Sequence, residues 1–351
     1  MSTRPLRVLL VRFSSIGDIL LTAPALPHAS VAEGLELHFL TKSPFAPIVD
    51  MLPGIHTIHT IERSVEEVVP ALRDLDFDVI VDWHNNLRSR QLIWGLREGR
   101  ARVLRLDKHR WQRAWLVHGP SWLGAAMGGG QLPHVVERYA QAIAPLVPGS
   151  WVAGNWPALR GLPPAVQKPL PVPGAAGTRT IQLACVLGAA HPLKRIPFAT
   201  WISVLTSLPG HWHFTLLGGN DDQKVAEELR EQLPAGVQAR LEDHSGQTTL
   251  PQAAHLLQAA DVVLAGDTGL GHLAAAVGTP VVTVWGCTRP SLGMAPWQPA
   301  PGSASLEPAG RGKTPCSRLG NRCRRGGTAD PCIDHVSPDR ILAALLHACP
   351  A

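Results

Sequence analysis

The sequence has no apolar run that approaches the roughly 20 residues a helix needs to span a bilayer. It has no small-residue cleavage site behind its short N-terminal apolar run, so we expect no signal peptide and a cytoplasmic location. It also has no low-complexity tail and no short-period repeat. Its 351 residues are 45% hydrophobic and 17% charged, a composition typical of a globular protein with room for two domains.

Cysteines are too few for a disulfide framework in a chain of this length without an export signal. Three of the six are isolated in the sequence, namely Cys185, Cys287 and Cys349. The other three are clustered, namely Cys316, Cys323 and Cys332. Their spacings, C-x6-C-x8-C, match no common zinc pattern. We therefore favour reduced thiols in a folded tail over a metal site and expect no bound metal.

Basic residues are only in moderate excess, with a formal net charge of +5. The net charge is the only feature of the sequence that favours nucleic-acid binding, and it is too small to be sufficient. We therefore expect no nucleic-acid partner. Residues 87–119 interleave basic side chains with Trp94, Trp111 and Trp115. This mixture suits either an anionic membrane interface or a solvated arginine face with tryptophans packed inward. The basic residues are Arg88, Arg90, Arg97, Arg100, Arg102, Arg105, Lys108, Arg110 and Arg113.

Short apolar or β-branched runs alternate with helical periods from residue 6 onward, which indicates βαβ units and parallel sheets. A Pro- and Gly-rich stretch interrupts this rhythm. We predict an α/β protein of two Rossmann-like, doubly wound domains facing across a cleft. The pattern also predicts a helix near 18–30 and a loop over 288–331. The predicted boundaries are 1–150, a linker 151–178, a second domain 179–336, and a C-terminal helix 337–351.

The segment "ADVVLAGDTGLGHLAAAVG" carries the clearest chemical signal. It places Asp267, Thr268 and Gly269 after a strand, with His272 in the first turn of the following helix. Free N–H groups and the positive end of the helix dipole favour an anion there, and His272 can add a donor to a phosphate. The alternative is a plain Asp/Thr helix cap with a surface histidine.

Two further loops follow strands in the second half. "GAAHPLKRIPF" offers Lys194 and Arg195, which could offset pyrophosphate charge, although such a pair is usually only a solvated face. "LLGGNDDQK" offers Gly219 and then Asp221 and Asp222 at a helix start. These carboxylates are either helix caps or partners for a ribose hydroxyl.

The first strand runs into "SSIGDILL", which places Asp18 at the start of a helix. At this position a carboxylate is either a helix cap or a general base that accepts a proton from a substrate hydroxyl. The residues alone leave both interpretations open. The turn is not Gly-x-Gly-x-x-Gly, so we do not expect a dehydrogenase.

Five segments, in their order and spacing, resemble the heptosyltransferases of lipopolysaccharide core synthesis, glycosyltransferase family 9. They are "RFSSIGDILLTAPAL", "DWHNNLRS", "HPLKRIPFATW", "LLGG" and "GDTGLGHLAAAVGTPVVTVWG". The resemblance runs from about residue 6 to the final helix and omits the linker. It departs from the usual family pattern at Asn85, where glycine is usual, and at Ile196, where tryptophan is usual.

The resemblance implies a GT-B fold and an inverting, metal-independent transfer of a heptose from ADP-heptose to a hydroxyl of the anionic lipid A-core, with no cofactor. It implies that Asp18 is the catalytic base and that Lys194 holds the donor phosphates. It also implies that Asp267, Thr268, Gly269 and His272 bind the donor, and we add Gly219 and Asp221 to the predicted donor residues because they follow a strand at a helix start. The acceptor residues are Ser14, Ser15, Gly17, His84, Asn86 and Arg88. Peripheral contact with the cytoplasmic face of the inner membrane would bring the enzyme to its acceptor.

Three alternatives remain open at this point. A related transferase could use another nucleotide sugar, and a non-catalytic lipid A- or core-binding protein could have the same fold. A nucleotide-sugar epimerase would share the architecture but need no basic acceptor loop.

Overall fold

The computed structural model describes residues 4–26, 34–96, 100–119, 130–147, 153–162, 179–312 and 314–349. The chain forms two compact units. The first contains Met1–Arg110 and Pro133–Gly161, and the second contains Trp111–Leu132 and Leu162–Ala351. Most of the predicted linker 151–178 lies outside the described residues.

The first unit is built on a five-stranded parallel sheet in the order β3-β2-β1-β4-β5. Val11, at the end of β1, lies opposite both Leu40 and Asp82. The strand order reverses between β1 and β4, so the loops that follow these two strands emerge side by side at one sheet edge. The strands are β1 (Leu6–Val11), β2 (Leu35–Lys42), β3 (Thr57–Ile61), β4 (Val79–Asp82) and β5 (Arg102–Arg105).

Short helices connect these strands. The predicted helix near 18–30 is wrong in length, because α1 ends at Leu20, where the Thr22 hydroxyl donates to the carbonyl of Ile19 at 2.6 Å. Pro24 then begins a separate 3-10 turn, Ala23–Ala25, and residues 27–30 lie outside the described part. The helices are α1 (Ile16–Leu20), α2 (Ala46–Asp50), α3 (Val69–Asp74), α4 (Leu87–Gly95), α5 (Arg110–His118) and α6 (Val135–Ile143).

The prediction assigned all of residues 1–150, including helix α5, to the first domain. The segment Trp111–Leu132 belongs to the second unit instead. Leu116 packs there with Leu132 and Leu292, and the guanidinium of Arg113 donates to the carbonyl of Arg318 at 3.4 Å. Burial of these leucines is a physical reason why this segment belongs to the second unit.

The second unit is a six-stranded parallel sheet in the order β11-β10-β9-β6-β7-β8. Its strand order reverses between β6 and β9, so the loops after these strands mark the switch point where such sheets bind ligands. The sequence did not predict the short strands β8 and β11, and β11 lies within the predicted loop 288–331. The strands are β6 (Ile181–Val186), β7 (Trp212–Leu217), β8 (Leu241–Asp243), β9 (Val262–Gly266), β10 (Val281–Val284) and β11 (Ala304–Leu306).

The core of the second unit extends to the end of the described chain. Ile341, Leu345 and Ala348 of the final helix are buried against the β6 and β10 strands and their neighbours. The predicted α/β class with two parallel-sheet units is confirmed. The helices are α7 (Phe198–Ser207), α8 (Gln223–Gln232), α9 (Ala235–Gln238), α10 (Leu250–Ala259), α11 (Gly269–Ala276) and α12 (Pro338–Ala348). None of the described helices is long and apolar enough to cross a membrane.

Candidate active site

Asp18 lies in the loop and first turn that follow β1. Its Oδ2 accepts from the backbone N–H of Ser15 at 3.2 Å and from the Ser15 hydroxyl at 3.0 Å, and it pairs with the guanidinium of Arg12 at 2.7 Å. Ser15 is the N-cap residue of α1 and Asp18 the third residue of that helix. Asp18 therefore forms part of a capping box. Its other oxygen, Oδ1, accepts from none of the described residues.

The environment of Asp18 keeps it ionised. Burial alone would raise its pKa, but the charge of Arg12 and the hydrogen bonds from Ser15 together bring the pKa below the ordinary aspartate value. The pKa of Arg12 is raised, because the opposing effect of burial is outweighed by the interactions with Asp18, Tyr139 and Asp82 taken together. A carboxylate that is ionised, 19% exposed and satisfied on one oxygen can accept a proton on the other.

Arg12 links the two loops at the switch point of the first unit. It lies just after β1, is 8% exposed, and donates to the carbonyl of Trp83 after β4 at 3.0 Å. The sequence analysis missed this residue, because "VRF" looks like the end of a buried strand. An arginine one residue after an apolar strand, six positions before a carboxylate, was the available signal.

The loop after β4 is fixed by the buried carboxylate of Asp82. It accepts from the backbone N–H of Asn85 at 2.6 Å and from the hydroxyl of Ser89 at 2.9 Å. Asn86 caps α4 by accepting from the Ser89 N–H at 2.9 Å. Asn85 has φ +42°, a left-handed conformation that glycine and asparagine adopt most readily. This explains how Asn85 replaces the usual glycine of the family pattern.

The remaining predicted acceptor residues are spread over the same edge. Ser14 is half-buried, Ser15 exposed and Gly17 buried, and Arg88 projects from α4 into solvent. The ring of His84 lies 5.0 Å from that of Phe13 between centroids. Burial, with the positive charges of Arg12 and Lys108, lowers the pKa of His84 to about 3, so the ring is neutral near pH 7.

Lys194 and Asp267 meet at the switch point of the second unit. The Lys194 ammonium lies 2.7 Å from Asp267 Oδ2, which also accepts from the Thr288 hydroxyl at 2.8 Å. Lys194 ends a 3-10 turn after β6, and Asp267 follows β9. A Cβ at Gly266 would collide with the carbonyl oxygen of Lys194, so this approach requires glycine. Thr288 was not predicted.

The helix that follows Asp267 is capped at its N-terminus by Thr268. The hydroxyl of Thr268 accepts from the N–H of Gly271 at 3.2 Å, and Gly269 is the first helical residue. His272 is 5% exposed, which is inconsistent with the alternative of a surface histidine. A lysine beside a helix N-terminus suits a phosphate group.

The carboxylate of Asp222 holds the loop after β7 in place. Its Oδ2 accepts from the N–H of Gly219 at 2.8 Å, and its Oδ1 lies 3.3 Å from the guanidinium of Arg195. A Cβ at Gly188 would collide with this carboxylate. Asp221, predicted to bind the donor, is exposed beside it, so a ribose hydroxyl could reach Asp221 more readily than Asp222.

Comparisons with known proteins show the family to which the chain belongs. Residues 66–318 match the family model for glycosyltransferase family 9 (heptosyltransferase). Lipopolysaccharide heptosyltransferase 1 of Pseudomonas aeruginosa is 28% identical over 330 residues, which cover 82% of this chain and 80% of that one. Lipooligosaccharide heptosyltransferase 2 of Haemophilus influenzae is 31% identical over 115 residues, which cover 32% of this chain and 33% of that one.

The fold is shared with a solved structure. The E. coli heptosyltransferase WaaC with ADP-2-deoxy-2-fluoro heptose has a TM-score of 0.65 and 18% sequence identity, and covers 97% of this chain and 99% of that chain. The two parallel α/β sheets and this shared fold place the chain in the GT-B class. The chain belongs to glycosyltransferase family 9, the heptosyltransferase family.

Proposed function

We propose that this enzyme transfers a heptose from ADP-heptose to a hydroxyl group of the lipopolysaccharide inner core, with inversion at the anomeric carbon. The observation that carries the proposal is the state of Asp18, ionised and held by Arg12 and Ser15, with one oxygen that accepts from no donor in the described part of the chain. Oδ1 removes the proton of the acceptor hydroxyl as its oxygen attacks the anomeric carbon. The bond between that carbon and the diphosphate breaks on the opposite face.

The donor residues in the second unit stabilise the leaving group. ADP gains negative charge as it departs, and the Lys194 ammonium and the N–H groups at the start of α11 offer compensating positive charge. Asp267 orients Lys194 before the donor binds. We propose that His272 donates to the same phosphates and that Gly219 and Asp221 contact the nucleoside.

The acceptor is proposed to be the anionic lipid A-core, bound along the loops after β1 and β4. Ser14, Gly17 and Asn86 contribute to the walls of this site. The exposed Arg88 offers a guanidinium that can pair with an acidic group of the inner core, and His84 offers a neutral ring nitrogen. A neutral histidine can exchange hydrogen bonds with sugar hydroxyls without repelling the Arg12 cation.

We also propose that the enzyme binds the membrane surface peripherally. Leu87 and Trp94 on α4 are 84% and 71% exposed, and Trp111 on α5 is 90% exposed. Trp115 is 40% exposed, so inward packing covers part of this indole but little of Trp94 or Trp111. Exposed indoles beside arginines favour an anionic headgroup layer.

Nucleotide binding tests the donor assignment. We expect calorimetry to show that ADP binds more tightly than UDP or GDP, and that Lys194→Ala weakens ADP binding by about tenfold or more, because a charge-assisted contact to phosphate is lost. Lys224→Ala is the matched control, since Lys224 is exposed on α8. A preference for UDP or GDP would remove ADP-heptose as the donor and favour another nucleotide sugar.

A further inference from the structure

Four cysteines that are far apart in the sequence meet in the second unit. Cys316, Cys323 and Cys332 come from the tail, and Cys287 follows β10. The sequence analysis treated Cys287 as isolated, which is wrong in the fold. Their four sulfur atoms all lie within 4.8 Å of one another. The four side chains are buried, with exposures between 0% and 9%.

The spacing of the sulfurs is that of a metal tetrahedron. The Sγ atoms of Cys316, Cys323 and Cys332 are separated by 3.6, 3.7 and 4.0 Å. Four thiolates at about 2.3 Å from a central ion would be about 3.8 Å apart along each edge. A disulfide would bring two sulfurs to about 2.05 Å, and none of the six cysteines forms one.

Backbone groups surround the sulfurs as donors. The backbone N–H of Arg324 lies near the sulfur of Cys316, and those of Arg325 and Gly326 lie near the sulfur of Cys323. The N–H of Cys316 donates to the carbonyl of Cys287 at 3.0 Å, which fixes the two segments together. Hydrogen bonds of this kind orient thiolate ligands and offset their negative charge.

A buried cation lies near the cluster. Arg289 is 0% exposed and interacts electrostatically with Cys316 and Cys332. Its guanidinium has one carboxylate partner, Glu307 at 3.6 Å, and its Nε donates to nothing in the described part of the chain. An ion with two positive charges bound by four thiolates carries a net charge of −2, which would compensate this buried arginine.

We propose that Cys287, Cys316, Cys323 and Cys332 bind one zinc-type divalent metal ion as four thiolates in tetrahedral geometry. Each thiol releases its proton to solvent as its sulfur binds the ion. A closed set of four sulfurs leaves no position for substrate, so the site is structural. Zinc and iron both accept this ligand set, and elemental analysis distinguishes them.

The ion would also fix the donor loop, and this part rests on the proposed function. Leu193 packs against the cysteine cluster, and the next residue is Lys194. The Lys194 side chain passes over Gly320 in the tail, where a Cβ would lie 2.7 Å from its Cε. Loss of the ion would therefore loosen both the backbone and the side chain of Lys194.

Elemental analysis of the full chain, purified without a histidine tag, tests the site. We expect about one zinc or iron ion per chain in the wild type and in Cys185→Ser, the matched control, because Cys185 is a buried thiol of β6 outside the cluster. Cys332→Ser should lose the ion. A metal-free wild type whose four thiols react as free thiols, or a disulfide among them, would overturn the proposal.

Cobalt substitution keeps the test independent of how the variant folds. Wild-type protein produced with Co²⁺ should show the thiolate charge-transfer and d–d absorption of a tetrahedral cobalt–sulfur centre, and absence of these bands would contradict the geometry. Removing the ion with a mercurial reagent should weaken ADP binding by about tenfold to a hundredfold. Lys194→Ala should lose ADP affinity but keep its metal, which separates failure of the donor assignment from failure of the metal site.

Discussion

At the scale of single residues, Arg12 determines the chemistry of Asp18. We expect Arg12→Gln to raise the pKa of Asp18, because the remaining large influence on the carboxyl is burial, which favours the protonated form. In the wild type, the acidic decline of kcat/KM should be centred below the ordinary aspartate pKa of about 3.9, because the folded-state pKa of Asp18 is lowered. In Arg12→Gln, the decline of kcat/KM on the acidic side should begin at a higher pH than in the wild type.

The measurement is the pH profile of kcat/KM for both proteins, with thermal melting to confirm that the variant is folded at each pH. Arg7→Gln is the matched control, because its guanidinium pairs with Glu36 near the opposite end of β1 from Asp18. An unchanged acidic limb in Arg12→Gln would mean that Arg12 does not set the pKa of Asp18.

At the scale of elements, helices α4 and α5 carry the exposed tryptophans. We expect the protein to sediment with vesicles that contain anionic phospholipid and to bind uncharged phosphatidylcholine vesicles less. Trp94→Ala and Trp111→Ala should each reduce this binding, because an interfacial indole is lost. Leu346→Ala, a 39% exposed apolar residue on α12, is the control. Equal binding to both vesicle types would contradict the membrane proposal.

The elements also show what the sequence could predict. The central strands β1, β4, β6 and β9 were predicted because each is a continuous apolar run followed by a chemically distinctive loop. Edge strands β8 and β11 have three residues each, too few for a period to be recognised. Helix α1 was overestimated because apolar periodicity continues through Thr22 and Pro24, where hydrogen bonding ends the helix.

The site was predicted as a set of residues but not as a network. Asp18, Lys194 and Asp267 could be named because each follows a strand. Their partners Arg12 and Thr288 were not named. The position of Arg12 just after β1 was an available signal, but nothing in local spacing reports the contact between Thr288 and Asp267. The sequence also did not predict that Cys287 belongs to the cysteine cluster. Cys287 lies 29 positions before Cys316 and contacts it only when the segment after β10 and the tail pack together.

At the scale of the whole molecule, neutral histidines should make the fold sensitive to acid. Burial and the charge of His38 lower the pKa of His59 to about 4, and burial lowers the pKa of His84 to about 3. In the unfolded chain both titrate near about 6.5, so the unfolded state binds more protons between these values. The free energy of unfolding should therefore fall as pH drops below about 6.5.

Urea unfolding at pH 7 and pH 5 measures this effect, because the carboxylates with lowered pKa values contribute mainly below that range. We expect His59→Gln to reduce the difference in midpoint between the two pH values. The matched control is His213→Gln, on the exposed face of β7. A wild-type midpoint that does not change from pH 7 to pH 5 would contradict the assignment of neutral histidines.

The most direct test of the account is a transfer assay with ADP-heptose and a lipid A-core acceptor, comparing the wild type with Asp18→Asn. The amide keeps the size of the carboxylate but cannot accept the proton, so we expect kcat to fall by about 10²–10⁴-fold with little change in ADP affinity. Asp74→Asn, on the exposed end of α3, should retain full activity. Wild-type transfer that persists undiminished in Asp18→Asn would contradict the central claim that Asp18 is the catalytic base.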